Sequence, residues 1–413
     1  MKPYLRIDMH WQRAAIESVV LACVLLGSQC GHAQTRTADA DKMAYWSVQR
    51  RGANYGPARL RPEEIQAAAN AGIEFFRLRV DSLPPAQSDF LIGNADHYEA
   101  IDEADLKQLR LILDESEKRG IKVVLTMFSL PGCRGKKDVS DSSDGRLWRE
   151  EKYQEQAFAF WRDLARRLMN HSAIVAYNPL NEPHPDREFG FDSPGDPGFT
   201  KWRAGIRGTT PDLDRFNQRM VAAIREVDPK TPIILDGWFY ADPEAFRHNL
   251  PVSDKRTLYA LHNLGPWSFA AFRINKSRFE YPTRMPAGKD KVEPWTIDNL
   301  RATVDAVVAF AARYDIPSNR IIASEFWCDR RVAGVAAYLA DELRIYNERG
   351  WHWAFYTFRG EGTWTGLDYE IPADAPLGKL SEAAKRGDDL EPLKPRGDNP
   401  VWEVIQRELK RRR

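Results

Sequence analysis

The chain has 413 residues, 43% of them hydrophobic, with 60 basic and 59 acidic side chains and a formal net charge of +1. That is enough chain for a large core, and the balanced charge gives no basic footprint for a nucleic acid partner. The 13 Trp and an aromatic content of 11% fit either a Trp-rich core or platforms for sugar rings.

At the N-terminus Lys2, Arg6 and Arg13 precede an apolar run, "SVVLACVLLG" at 18–27, too short to span a bilayer. Gly31 and Ala33 then offer small residues at the −3 and −1 positions of a cleavage site. Residues 1–33 read as a secretory signal cut after Ala33, and 34–44 as a short lead; an uncleaved membrane anchor is the alternative. The expected location is secreted or periplasmic. Cleavage removes Cys23 and Cys30 and leaves Cys133 and Cys328, too few for a disulfide scaffold.

From residue 45 onward short apolar runs alternate with amphipathic helical patterns. The runs are "GANY" (52–55), "IEFFRLRV" (73–80), "IKVVLTMF" (121–128), "AIVAYNPL" (173–180), "PIILDG" (232–237), "TLYALH" (257–262), "RIIASEF" (320–326) and "WHWAFYTF" (351–358). They are rich in β-branched and aromatic residues and mostly lack polar alternation, as strands buried on both faces do. Between them, apolar stripes at helical spacing pass through Leu106, Leu109 and Leu113, with Gly120 as the stop, and through Phe158, Trp161, Ala165 and Leu168. Further stripes join Leu213, Phe216, Met220 and Ile224; Ile297, Leu300, Val304, Val307 and Ala311; and Val335, Leu339, Leu343 and Tyr346. Eight strands alternating with helices predict an α/β fold, a single (β/α)8 TIM barrel over 45–413. An open doubly wound sheet is the competitor, but "RGANYGP" lacks a dinucleotide-binding glycine pattern. Residues 360–400 read as a long loop after the eighth strand.

Barrels of this kind build their sites at the C-terminal ends of the strands. Two carboxylates stand there: Glu182 in "NPLNEPHP" after the fourth strand, and Glu325 in "IIASEFW" at the end of the seventh. Taken singly, Glu182 is equally a helix-terminus carboxylate and Glu325 a buried partner of an arginine. As a pair at one barrel mouth they fit the acid/base and nucleophile of glycosidic bond cleavage. Arg77 ends the second strand and can pair with a carboxylate, His262 ends the sixth, and Asn181 adjoins Glu182. Trp238, Trp267, Trp327, Trp353 and Tyr356 fall at or beyond strand ends, where aromatic faces either stack on sugars or pack in the core. No His or Cys spacing suggests a metal site, and no cofactor is expected. Cys133 and Cys328 follow strands on opposite sides of such a barrel, farther apart than the ~7 Å a disulfide spans, so two free thiols are expected.

These motifs, in this order over roughly 45 to 360, resemble glycoside hydrolase family 5, a cellulase-like family of retaining (β/α)8 enzymes. The resemblance implies Glu182 as acid/base, Glu325 as nucleophile, and Arg77, Asn181 and His262 as the polar residues around the reacting sugar. It further implies an aromatic platform at the eighth strand, where the register fits Trp353 or Tyr356 and favours Tyr356; Trp238 and Trp327, from their places at strand ends, are expected as further substrate contacts. Two positions depart from the family pattern: Phe128 stands where a His is usual, and Leu264 where a Tyr is usual. The expectation is a secreted, monomeric retaining hydrolase of a β-linked glucan, mannan or related glycoside. A non-catalytic or weakly active glycan-binding barrel and a transglycosylase are the alternatives.

Overall fold

A computed structural model describes residues 41–134, 144–287, 291–360, 366–375, 378–397 and 399–411. The expected signal segment lies outside the described residues. The eight apolar runs become eight strands: β1 (Arg51–Tyr55), β2 (Phe75–Arg79), β3 (Lys122–Thr126), β4 (Ile174–Asn178), β5 (Ile233–Asp236), β6 (Thr257–Asn263), β7 (Ile321–Phe326) and β8 (His352–Phe355). They close into a barrel in the order β1-β8-β7-β6-β5-β4-β3-β2, and every neighbouring pair is parallel.

The strands are apolar on both faces because both are covered. Phe75, Val124, Ala176, Ile234, Leu258, Ile322 and Ala354 fill the barrel interior. Trp46 closes its N-terminal end: the indole donates to the Val175 carbonyl at 3.0 Å and meets Phe75 and His352 edge-on. A Trp buries 150–250 Å², roughly 4–6 kcal/mol of apolar transfer as an upper bound. The end of the lead, a helical turn at Lys42–Tyr45, is therefore tied to the barrel.

Outside, the helical stripes form as their spacing predicts. Glu103–Lys118 starts on Asp102, whose carboxylate accepts from the Ala104 and Asp105 N–H groups, and stops at Gly120, where φ is +75°. Glu151–Leu168, Leu213–Arg225 and Val335–Arg349 bury the stripes read from the sequence. The stripe beginning at Ile297 differs. It breaks into Ile297–Ala302 and Asp305–Arg313, because the Thr303 hydroxyl donates to the Leu300 carbonyl at 2.7 Å and competes with the helical ladder. Between β5 and β6 a four-residue helical turn, Trp238–Ala241, and a 3-10 turn, Pro243–Arg247, stand where a long helix would.

The segment after β8 packs onto the barrel and includes a helix, Gly378–Arg386. Buried Asp368 anchors it, accepting from Arg396 at 2.8 and 3.0 Å with Lys394 at 3.4 Å, and Asn399 caps the last helix, Pro400–Lys410. Cys133 and Cys328 are both buried and free.

Candidate active site

The C-terminal ends of the strands surround a cleft of about 1070 Å³. Glu325 lies within β7, 5% exposed. The β6–β7 ladder shifts register after Leu261, and that shift pairs His262 with Glu325. In the β1–β2 ladder Asn54 pairs with Arg77. Residues paired in a parallel ladder point the same way, so backbone register alone brings these four side chains towards one place.

Arg77 is the hub beneath the cleft. Its guanidinium meets Glu325 Oε1 at 2.5 Å and donates to Asn54 Oδ1 at 3.0 Å, Asn178 Oδ1 at 2.7 Å and Asn181 Oδ1 at 2.6 Å. Asn54 in turn donates to the Ser324 carbonyl at 2.8 Å, which fixes the backbone just before the Glu325 position.

Glu182 stands on the loop leaving β4, its side chain 26% exposed. Its φ is +49°, a left-handed conformation that costs a non-glycine residue about 1 kcal/mol or more. Asp236, at the end of β5, offsets that cost. Its Oδ2 accepts the Glu182 N–H at 2.9 Å, and its Oδ1 accepts from Asn178 at 3.0 Å. His262 closes the circuit: Nδ1 is 2.8 Å from Glu182 Oε1 and 4.0 Å from Glu325 Oε2, and Nε2 faces Asp236 Oδ2 at 3.4 Å. One donor atom from each of Glu182, His262 and Glu325 lies within 4.8 Å of the others.

The electrostatics follow from this packing. Burial raises Glu325 above the ordinary carboxyl range, with the nearby Glu182 and Asp236 charges adding to it and His262 and Arg77 pulling the other way. For His262 burial works against the charged ring, and the carboxylates of Glu325, Asp236 and Glu182 outweigh it, so its pKa is raised. The raised His262 thus keeps a proton on the ring whose Nδ1 faces Glu182 Oε1, while Glu325 is held on the Arg77 guanidinium. The three-residue donor set is of a kind that could also hold a cation. However, the guanidinium on Glu325 already supplies positive charge there and would repel one.

Of the residues expected from the sequence, Glu182, Glu325, Asn181, His262, Trp327 and Tyr356 line the cleft. Trp327 meets Trp267 edge-on, ring centres 5.1 Å apart, and Trp267 is 40% exposed. Trp353 is fully buried and bonds Asn347, so of the two eighth-strand candidates Tyr356 is the one at the cleft. Two expectations need correction. Trp238 is fully buried, packed edge-on against Phe199 and Trp202, and does not face the cleft. The loop after β5 turns it into the core, where the helix Pro197–Gly205 covers it. Of the two roles expected of Arg77, pairing with a carboxylate is the one the structure shows: it is 1% exposed and spends its donors on Glu325 and the asparagines, not on substrate. Phe128 and Leu264, the two departures, both line the cleft.

Sequence reasoning missed Asp236, Asn54 and Asn178. Asp236 carried the same signal as Glu325, a carboxylate closing an apolar strand, in "PIILDG". It also missed His184 and Tyr240, which stack at 4.4 Å on the Glu182 side of the cleft, with His184 Nδ1 2.6 Å from the Glu182 carbonyl oxygen.

Residues 40–358 match the family model for cellulase (glycosyl hydrolase family 5). Among curated proteins, a beta-xylosidase of Phanerodontia chrysosporium is 28% identical over 167 residues, which is 40% of this chain and 30% of that protein. Endoglucanase C of Acetivibrio thermocellus is 25% identical over 232 residues, 53% of this chain and 57% of that one. The chain thus spans between about a third and just over half the length of these relatives. The solved structure of endoglucanase Cel5A from Thermotoga maritima superposes with a TM-score of 0.59 at 16% identity, over 89% of this chain and all of that one. At that identity the superposition speaks for the shared barrel. With the family model covering most of the chain, this protein belongs to glycosyl hydrolase family 5, the cellulase family.

Proposed function

We propose that the protein is a retaining glycoside hydrolase that cleaves β-linked glucan-type or related glycosides by double displacement. The observation that carries this is the approach of Glu182 and Glu325 across one cleft, with oxygens within 4.8 Å. Retaining enzymes hold their two carboxyl groups about 5–5.5 Å apart, and inverting ones at least ~6.5 Å apart to admit a water.

Glu325 attacks the anomeric carbon. The proton shared by His262 and Glu182 passes through Glu182 to the leaving oxygen. Water, deprotonated by Glu182, then breaks the glycosyl–Glu325 ester. Arg77 serves the first step by holding Glu325 in place and favouring its charged form. Phe128 and Leu264 make the walls less polar and argue for a substrate other than plain cellulose. The apolar segment at 18–27 supports export.

The test is a panel of nitrophenyl glycosides and polysaccharides, with Glu182→Ala and Glu325→Ala as comparisons and the product anomer followed by NMR. Retention is expected. Glu325→Ala should abolish turnover, whereas Glu182→Ala should keep turnover of activated glycosides and be rescued by azide. Rescue of Glu325→Ala to a glycosyl azide of retained configuration, with the inverted azide from Glu182→Ala, would reverse the two roles. Sugar binding without turnover in the wild type would leave a glycan-binding barrel.

A further inference from the structure

Arg79 ends β2, and its side chain is 27% exposed on the wall of the cleft that also carries Phe128 and Tyr356. The guanidinium carbon sits 4.6 Å from the centre of the Phe128 ring, so the ring sets the cation's plane. One edge is occupied: Nε donates to Asp81 Oδ1 at 3.3 Å, and Asp81 is itself held by the Ser129 hydroxyl at 3.1 Å. The other edge is vacant. Among the described residues neither Nη1 nor Nη2 of Arg79 bonds a protein atom, and neither is a buried orphan, so both open on the cleft. A fixed cation with a vacant fork beside a catalytic pair is costly to order unless something fills it.

The residues around it say on which side of the scissile bond it stands. Tyr356, which lines the cleft with Arg79, donates its N–H to the Phe326 carbonyl at 3.0 Å, next to Glu325, whereas the His184–Tyr240 stack stands beside Glu182, with His184 Nδ1 2.6 Å from the Glu182 carbonyl oxygen. The nucleophile bonds the glycone, and the acid protonates the aglycone oxygen. A group near Glu325 and away from Glu182 is therefore on the glycone side.

We infer that Arg79 is a substrate-binding residue on the glycone side, donating Nη1 and Nη2 to two neighbouring oxygens of the sugar that Glu325 attacks. This rests on the retaining reading of Glu182 and Glu325. The complementary chemistry is a pair of oxygen acceptors at fork spacing, supplied by vicinal hydroxyls of a neutral sugar or by the carboxylate of a uronic acid. Phe128 contributes the surface that holds the fork flat.

The experiment compares the wild type with Arg79→Gln and Arg79→Lys on a glycosyl fluoride, which has no aglycone ring, and on the nitrophenyl glycoside of the same sugar. Each is tested as the neutral sugar and as its uronide. Arg79→Gln should lose about 10- to 100-fold in kcat/KM on fluoride and nitrophenyl glycoside alike, the scale of charge-assisted hydrogen bonds, at unchanged Tm. Arg79→Lys should recover part of the loss. A larger loss on the neutral pair assigns the fork to hydroxyls, and a larger loss on the uronides to a carboxylate. Loss within about twofold on the fluoride overturns the inference, as does loss confined to the nitrophenyl glycoside, which would put Arg79 on the aglycone side. If the wild type turns over none of the substrates, the hydrolase reading fails separately. Calorimetric titration with the free sugar and its uronic acid then decides: binding lost in Arg79→Gln keeps the fork, and binding unchanged or absent in the wild type rejects it.

Discussion

Replacing Arg77 by Met keeps the bulk of the side chain and removes the charge beneath the cleft. Arg77 is buried, pairs with Glu325 at 2.5 Å and faces Asp236 at 3.4 Å. Removing one partner of a buried ion pair leaves an uncompensated charge and costs about 3–5 kcal/mol. The unit spanning Asp41–Arg413 should unfold with an entropy of roughly 0.8 kcal/mol per kelvin. The loss then corresponds to a fall in Tm of about 4–6 °C. The pH dependence is the sharper test. Glu325 has a raised folded pKa, so its contribution is fully present below the ordinary carboxyl value near 4.5 and is lost as pH rises through the raised value. Arg77 is one of the two groups pulling that value down. Without it Glu325 moves further up, and the variant loses stability over a wider span of rising pH. The gap in Tm between variant and wild type should grow with pH, and the acid limb of the kcat/KM profile should move to higher pH. Thermal unfolding by circular dichroism at several pH values, with pH–rate profiles on an aryl glycoside, measures both. A pH-independent gap, or an acid limb that stays in place, would refute the role given to Arg77.

Three further outcomes test other parts of the structure. Asp186 is fully buried, accepts the Phe239 N–H at 3.0 Å through one oxygen and leaves the other unpartnered; burial pushes it up to about 7. Its contribution should fade as pH rises from about 4 through 7, so Asp186→Asn should overtake the wild type in stability above pH 7 by roughly 2–4 kcal/mol; parallel melting curves at pH 5 and pH 8 would contradict this. Trp238→Ala should cost about 3–5 kcal/mol as a core truncation while substrate KM changes little in the folded fraction, and a selective rise in KM would return Trp238 to the site. Cys133 and Cys328 are buried thiols, Cys133 pushed up to about 12 by burial, so both should resist a thiol reagent in the native protein and react after unfolding; fast native labelling of either contradicts the packing.

The eight strands were legible because each is a short apolar run, and a strand covered on both faces must look like one. The carboxylates at strand ends were legible for the opposite reason: a charge in an apolar run is costly and stands out. The split helix at Thr303 was not legible, because its spacing still matches one apolar stripe and only the hydroxyl's choice of the Leu300 carbonyl breaks it. Trp238 was misjudged because sequence places a Trp just past a strand without saying whether the chain then turns inward or outward.

Sequence by itself thus determined the barrel and singled out the two glutamates at its mouth, since burial periodicity and the cost of a buried charge act locally along the chain. Tertiary structure decided the circuit around them. Arg77, Asn54, Asn178 and Asp236 come from four different strands, and only barrel closure and ladder register bring them to one guanidinium. Which aromatic faces the cleft, and that Arg79 keeps an open fork against Phe128, depend on side chains from separate strands meeting in space. No spacing along the chain encodes that meeting.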